Sequence, residues 1–491
     1  MRTDRHVVLV WIGLLALLPL MAGGVVVGDE AALLSLARAW DALHITAHEF
    51  FLRAPYAFHQ MPWFIIVYST QRLVGFVTHM ALVTESVIST QTVAAGLAAC
   101  AITYAWLVGR QDQDRARAAL VMLGFFFGGY GLFIAFMGEA PECYMALLMA
   151  ARLFAAEPSM GRQRAIALGL IDGALIVFKI YSVIFVGLML PLFWQRADRS
   201  QQIAYGATVF AVATVVVVSK FSVWNPPAAY IQDLNPSAPA MLSRFFQQLI
   251  SPWTGLAFCM PFVLILFLMP HPMWRNLAVK SAAIAGCMAF FSLYVFFDGD
   301  HPGGRYVFPF LIVLVPEIAA GFMMLTVRWP KAAFVVPLLL LVFLPVGLIG
   351  LPFYPGENMR TWDPNVPTTE RCMPEHPALF AWKMFMGHVT GTHHVPVCLR
   401  GRKRVLDPDE AAIPHTGPGR VAFILAGGVP HDYAGAGSPH RAMSVHLRKF
   451  LVRVHLDSVV LWNFLTLLPP IVLLAWSLIA AILIARGSVP P

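Results

Sequence analysis

The chain has 491 residues, 58% of them hydrophobic and only 12% charged, with a mean hydropathy of +0.70. A soluble protein carries about 25% charged residues, so these apolar side chains exceed what a water-soluble core can hide, and disordered, collagen-like and small disulfide-stapled classes are excluded too. The formal charge of +8 does not point to nucleic acid as a partner, because an excess of Lys and Arg is what the cytoplasmic loops of a membrane protein collect.

A membrane helix needs about 20 mostly apolar residues, since every backbone polar group must be satisfied within the segment. In chain order such runs fall at 7–27, 86–109, 118–137, 140–156, 203–220, 253–269, 279–297, 306–326, 332–352 and 459–485. The first follows Arg2 and Arg5 and ends in Ala22, Gly23 and Gly24, the outline of a signal peptide. It is long for that role, which favours an uncleaved anchor.

The stretch from Ala165 to Trp194 is apolar except for Asp172 and Lys179, and arginines flank it on both sides (Arg162, Arg164, Arg196, Arg199). If both flanks are cytoplasmic, the chain must go out and return within this stretch. That predicts two short helices, 165–178 and 181–194, with Lys179 at the apex. A single long tilted span is the alternative, and it would invert everything downstream. With the hairpin, fifteen Lys and Arg, including Arg152 and Lys280, fall on the cytoplasmic side against seven on the far side or its edge, as short loops require.

The expected fold class is therefore an all-α polytopic membrane protein of about 12 transmembrane helices with both termini inside, interfacial helices, and a small extracytoplasmic α/β domain. Residues 1–352 form the transmembrane module, with 28–85 as its first outer loop; 353–458 form the α/β domain; 459–491 supply the last transmembrane helix and a short cytoplasmic tail. In the first outer loop Leu33, Leu34, Leu36, Ala37, Trp40 and Leu43 oppose Ser35, Arg38, Asp41 and His44, the pattern of a helix lying in the interface plane. A second interfacial helix is expected up to Gly75. In 353–458, Pro, His, Arg and Asp return, and Arg420 to Leu425 is strand-like. Cys372 and Cys398 are the two cysteines of this segment, which makes them a disulfide candidate in an extracytoplasmic domain.

Several polar residues sit where chemistry is feasible. Asp29 and Glu30 follow the first helix directly. Either they are solvated acids favoured by a helix N-terminus, or one is a general base toward a hydroxyl. Glu139 and Glu142 are three apart in a short outer turn, where they would be solvated turn acids or would position an acceptor or hold a divalent cation. Asp298, Asp300 and His301 form an Asp-x-Asp pattern beside Arg305, a second candidate for a metal. His388 and His393 approach a zinc spacing, but without a second pair they count as loop composition. Asp172 and Glu317 lie deep in helices and are expected to have partners inside the bundle. Lys179 either snorkels to water, pairs with Asp172, or serves function. A transporter or lipid flippase reading places Asp172, Lys179 and Glu317 along a path; the lack of a visible internal repeat weighs against it.

Taken in order, Asp29-Glu30-Ala31 at the exit of the first helix, Ala37-Arg38 in the interfacial helix, the His/Pro cluster Pro55, His59 and Pro62, and Leu73-Val74-Gly75 form one group of motifs. Gly138-Glu139-Ala140-Pro141-Glu142, Lys179 and Gly304-Arg305-Tyr306 follow. This series resembles the GT-C class of integral membrane glycosyltransferases, in particular the protein O-mannosyltransferase and lipid A aminoarabinose transferase group. The chain departs from that pattern at Gly28, where the family often has Arg, and at Met61-Pro62, where it often has Pro-Pro; 353–458 has no counterpart.

The resemblance implies transfer of a hexosyl or pentosyl group from a polyprenyl-phosphate-linked donor to an extracytoplasmic lipid, glycan or protein acceptor, with inversion at the anomeric carbon. It implies Asp29 as the general base with Glu30 beside it, and a multi-pass protein of the bacterial inner membrane in contact with membrane lipids. A phosphate leaving group at a low-dielectric boundary needs fixed cations, and Lys179, Arg305 and Lys220 are the donor-phosphate candidates, with headgroup anchoring as the alternative for the latter two. No cofactor is required; a divalent cation stays open.

Overall fold

The structure, a computed structural model, describes residues 5–21, 28–43, 45–47, 49–50, 61–78, 81–110, 114–129, 140–156, 161–223, 237–251, 255–268, 274–293, 306–349 and 459–487. Among them every regular element is helical. The helices are α1 (Arg5–Met21), α2 (Gly28–Leu43), α3 (Met61–Thr78), α4 (Ala81–Arg110), α5 (Arg115–Phe127), α6 (Ala140–Ala155), α7 (Arg162–Phe178), α8 (Ser182–Trp194) and α9 (Arg199–Val223). Then come α10 (Ala238–Ile250), α11 (Leu256–Cys259), α12 (Trp274–Phe291), α13 (Phe308–Leu311), α14 (Val315–Arg328), α15 (Val335–Ile349) and α16 (Val459–Ala485). The α/β domain expected over 353–458, with Cys372 and Cys398, lies outside the described residues.

Among the described residues two helical runs, Thr90–Gly109 and Phe308–Arg328, are long and apolar enough to cross a membrane, and shorter apolar helices include Arg5–Leu18, Ser182–Trp194 and Ile471–Ala485. Large side chains such as Phe76, Phe210 and Phe267 stand on the surface. The run expected at 253–269 departs from a plain helix: after α11 the chain forms a 3₁₀ segment, Pro261–Leu268. At about 2 Å of rise per residue it covers more depth per residue than an α-helix, a conformational choice that hydropathy does not encode.

The hairpin expected around Lys179 is present. Lys179 ends α7 in an extended conformation, φ −142° and ψ 114°, and a turn over Ile180 and Tyr181 leads into α8. Phe193, at the far end of α8, clusters with Ala165 and Leu168 at the start of α7, so the two helices run antiparallel. Helix α9 then packs along α7 in parallel, and two glycines make the approach feasible. A Cβ on Gly169 would lie 2.9 Å from the Tyr205 carbonyl oxygen, and one on Gly173 would lie 2.8 Å from Val212 Cβ. Small residues one turn apart let helix backbones close in this way.

Charged groups inside this bundle are paired. Arg152, on α6, donates from Nε to Asp172 Oδ1 at 2.7 Å and from Nη2 to Oδ2 at 3.2 Å, and the Tyr205 hydroxyl donates to Oδ2 at 2.8 Å. Lys280 Nζ donates to both Glu317 oxygens at 2.6 and 2.8 Å. The expectation that Asp172 and Glu317 have partners in the bundle therefore holds. Arg152 and Lys280, counted above with the cytoplasmic side, are drawn into the bundle by carboxylates that need a counter-charge there. The pairing of Lys179 with Asp172 is also set aside. Seven residues of helix separate them by about 10 Å, and Arg152 and Tyr205 occupy the carboxylate.

Helices α2 and α3 form a layer of their own. Leu33, Leu34 and Ala37 of α2 are buried with Phe50, Trp63, Phe64, Val67 and Ile88, and Trp40 stacks on Tyr68 at 4.5 Å and Phe50 at 5.0 Å. Asp41, expected on the watery face of α2, instead turns toward α3. It accepts hydrogen bonds from the Tyr68 hydroxyl at 3.1 Å, Gln71 Nε2 at 2.8 Å and Arg72 Nη1 at 3.2 Å. Burial, reinforced by the Asp41 carboxylate, pushes the Tyr68 phenol above its ordinary range.

Two expected outcomes follow from these contacts. Lys280→Met alone strands a buried carboxylate and should cost about 3–5 kcal/mol of stability, whereas Lys280→Met combined with Glu317→Leu should be near neutral; thermal unfolding of the four proteins of this cycle in detergent measures the difference. Asp41→Ala should loosen α2 from α3 and bring the Tyr68 phenol titration down toward that of a free tyrosine, read by NMR of carbon-labelled tyrosine rings.

Candidate functional site

The apex of the α7–α8 hairpin meets the first turn of α6 and the start of the 308–328 helical run. Glu142, acidic in the first turn of α6, is 1% exposed, and Lys179 is 8% exposed. Lys179 Nζ lies 4.0 Å from Glu142 Oε1 and 5.8 Å from the centroid of the Tyr306 ring. The ammonium therefore sits between a carboxylate and a π-face, which attract it from two sides.

Aromatic rings wall this cluster. Tyr306 stacks on Phe291 at 4.8 Å, Tyr181 meets Phe291 edge-on at 4.5 Å, and Phe185 stacks on Phe310 at 4.6 Å. Such walls exclude water and lower the local dielectric, so each charge counts for more than it does at a surface. The extended backbone at Lys179 brings the side chain into this cluster, because a residue that ends a helix is released from the helical rows that fix its neighbours.

The expectation that Glu142 is a solvated turn acid is corrected. Glu142 belongs to α6, and its side chain is buried beside Lys179. The sequence signal for this was present: a carboxylate one turn into an apolar helix calls for a cation, and Lys179 is the cation interrupting the neighbouring apolar run.

Tyr144 connects this cluster to the α2–α3 layer. Its ring stacks on Phe178, the residue before Lys179, at 5.9 Å, and it packs against the group that contains Leu33, Leu34 and Ala37 of α2. Helix α2 begins at Gly28, so Asp29 and Glu30 fall in the first turn of a helix that contributes Leu33, Leu34 and Ala37 to the cluster against which Tyr144 packs. Lys220 lies on α9. The contacts of Gly169 with Thr208 and of Gly173 with Val212 set a parallel register of α7 and α9, and carried forward it brings the backbone at Lys220 level with the apex. Arg305, Glu139, Asp298, Asp300 and His301 lie outside the described residues.

Sequence reasoning gave no role to Tyr306, Tyr181 or Tyr144. Tyr306 was adjacent to a candidate cation, but an aromatic at the mouth of an apolar helix is common and carries no signal by itself. Among the described residues no group of three or more His, Cys, Asp or Glu is gathered as a metal site would require.

No family model and no curated protein matches the chain. Among solved structures, the crystal structure of ArnT from Cupriavidus metallidurans in the apo state is similar to it, with 14% sequence identity and a TM-score of 0.43 over 98% of this chain and 76% of that one.

Proposed function

We propose that the chain is an integral membrane glycosyltransferase with its active site at the apex end of the bundle, on the extracytoplasmic side of a bacterial inner membrane. It would move a sugar from a polyprenyl-phosphate-linked donor to an extracytoplasmic lipid, glycan or protein acceptor. The observation that carries the proposal is the buried Lys179, held among aromatic rings at a helix end, next to Phe178 on which Tyr144 stacks, while Tyr144 packs against the cluster that includes Leu33, Leu34 and Ala37 of the helix opening with Asp29 and Glu30.

In this reading about twelve membrane helices anchor the enzyme, and 353–458 contributes an outer domain with a Cys372–Cys398 disulfide. The polyprenyl tail stays in lipid while its phosphate meets Lys179, with Arg305 and Lys220 as further cations. Asp29, with Glu30 beside it, takes the proton of the acceptor hydroxyl as its oxygen attacks the anomeric carbon from the face opposite the phosphate. The bond between that carbon and the phosphate oxygen breaks, and its electron pair leaves with polyprenyl phosphate, so the configuration inverts. The developing charge on the leaving oxygen is where a fixed cation in a dry site has most effect. A divalent cation held by Asp298, Asp300 and His301, or by Glu139, would add to this; Glu142 is already engaged with Lys179.

The rival reading, a transporter or flippase, draws on the charges inside the helices. Asp172 and Glu317 are each closed by hydrogen bonds at 2.6–3.2 Å, so a permeating ion or headgroup would have to break both pairs. Closed pairs support a structural role and leave the looser Lys179 pair as the candidate for ligand contact.

The test is sugar transfer or release from a polyprenyl-phosphate donor by purified protein in nanodiscs. Asp29→Asn should lower kcat by about 10²–10⁴-fold with donor binding retained, the range for loss of a general base. Lys179→Ala should raise KM for the donor. Unchanged turnover in Asp29→Asn would remove the proposed base.

A further inference from the structure

The end of the hairpin opposite Lys179 gathers charge of its own. Arg162 and Arg164 lie in the first turn of α7, Arg196 lies in the turn from α8 to α9, Arg199 opens α9, and Arg275 lies in the first turn of α12. Across 161–223 and 274–293 the acids are Asp172, held by Arg152 and Tyr205, and Asp198. Asp198 sits in the turn itself, where its carboxylate accepts from the backbone amide of Gln201 at 2.9 Å. Arg162, Arg196 and Arg199 are exposed, and among the described residues no ion pair engages them.

Packing brings these arginines to one level. The contacts of Gly169 with Thr208 and of Gly173 with Val212, carried back along the two parallel helices, put Arg162 level with Gln201, about half a turn from Arg199. Phe193 of α8 packs with Ala165 of α7, and Arg275 Nη2 approaches Gln195 Oε1 at 3.5 Å, so the neighbouring ends of α8 and α12 join the group. Exposed apolar side chains continue from each opening arginine, Ile166 and Leu170 after Arg162, Ile203 and Phe210 after Arg199. Trp194 and Trp274 are exposed at the same end, as tryptophans at a bilayer interface are.

We propose that this end is a binding site for an anionic phospholipid, whose phosphate meets Arg162 and Arg199 and whose acyl chains lie along the exposed apolar residues of α7 and α9. Guanidinium offers a phosphate a planar fork of donors, and each basic residue near a membrane surface strengthens the hold on acidic lipid about fivefold. A zwitterionic headgroup gains less, because its own ammonium opposes the arginines. Close glycine packing of α7 on α9 fixes the two guanidinium-bearing turns relative to each other, which loop arginines lack. The site requires a bilayer around the bundle and owes nothing to the role given to Lys179.

The experiment titrates full-length protein in detergent with phosphatidylglycerol or with phosphatidylcholine of the same chains and counts bound lipid by native mass spectrometry. Wild type should favour phosphatidylglycerol about tenfold. Arg162→Gln combined with Arg199→Gln should weaken that lipid about 30-fold and leave phosphatidylcholine unchanged, while Arg162→Lys combined with Arg199→Lys keeps the charge and should stay within about threefold of wild type. If the double glutamine variant does not fold, the single variants decide, each with a loss of about fivefold. Arg328→Gln combined with Lys331→Gln removes two exposed cations at the end of α14 and should leave binding unchanged. Equal loss in this charge-matched control would reduce the effect to net charge and overturn the site. So would wild-type affinity in the Arg162 and Arg199 glutamine variants, and displacement of the lipid by millimolar inorganic phosphate would show a free-anion site instead.

Discussion

A carboxylate buried among apolar helices keeps its charge only where a cation is brought to it, because the cost of stripping water from an unpaired ion is several kcal/mol even after relaxation. That constraint organises the bundle. Asp172 draws Arg152 in from the end of α6 and takes a third contact from Tyr205 on α9, so one carboxylate ties α6, α7 and α9 together. Glu317 and Lys280 join α14 to α12 in the same way. These ties fix the hairpin against its neighbours, and the hairpin carries Lys179. The apolar packing supplies most of the cohesion, but it is indifferent to register; the pairs are not.

The same constraint distinguishes structure from candidate function. Where the cation and carboxylate meet within hydrogen-bonding distance, the pair is closed and serves the scaffold. Where they remain 4.0 Å apart among aromatic rings, no hydrogen bond closes the pair. The apex cluster has this second character, and Tyr144 packs between it and the α2–α3 layer.

The sequence made the hairpin legible because two charges interrupt an otherwise unbroken apolar run and arginines bracket it; length alone then requires two short helices. The partners of Asp172 and Glu317 were legible only as a necessity. Their identity was not, because a Lys or Arg near a helix end is normally a loop residue, and the distance over which a long side chain reaches back into a bundle depends on which helices are neighbours. Asp41 was misread for a related reason: its amphipathic register was right, but α3 presents Tyr68, Gln71 and Arg72 on the side that water would otherwise occupy. Glu142 was read from its turn, and burial reversed that reading. The 3₁₀ segment after Met260 left no trace in hydropathy, since the same residues are apolar in either helix.

Placement at the hairpin apex has a physical logic of its own. A cation midway along a helix in lipid must be fully paired and is then unavailable, whereas one in open water is screened within about 10 Å and grips a phosphate weakly. Lys179 occupies the position between these limits. The helix ends there, the extended backbone frees the side chain, and the rings of Tyr181, Phe291 and Tyr306 keep the surroundings apolar. In the proposed reading, an amphiphile whose tail remains in the bilayer would bring its phosphate to this depth without leaving the membrane, so the site that is affordable for the protein to build would also be the one a lipid-linked headgroup reaches.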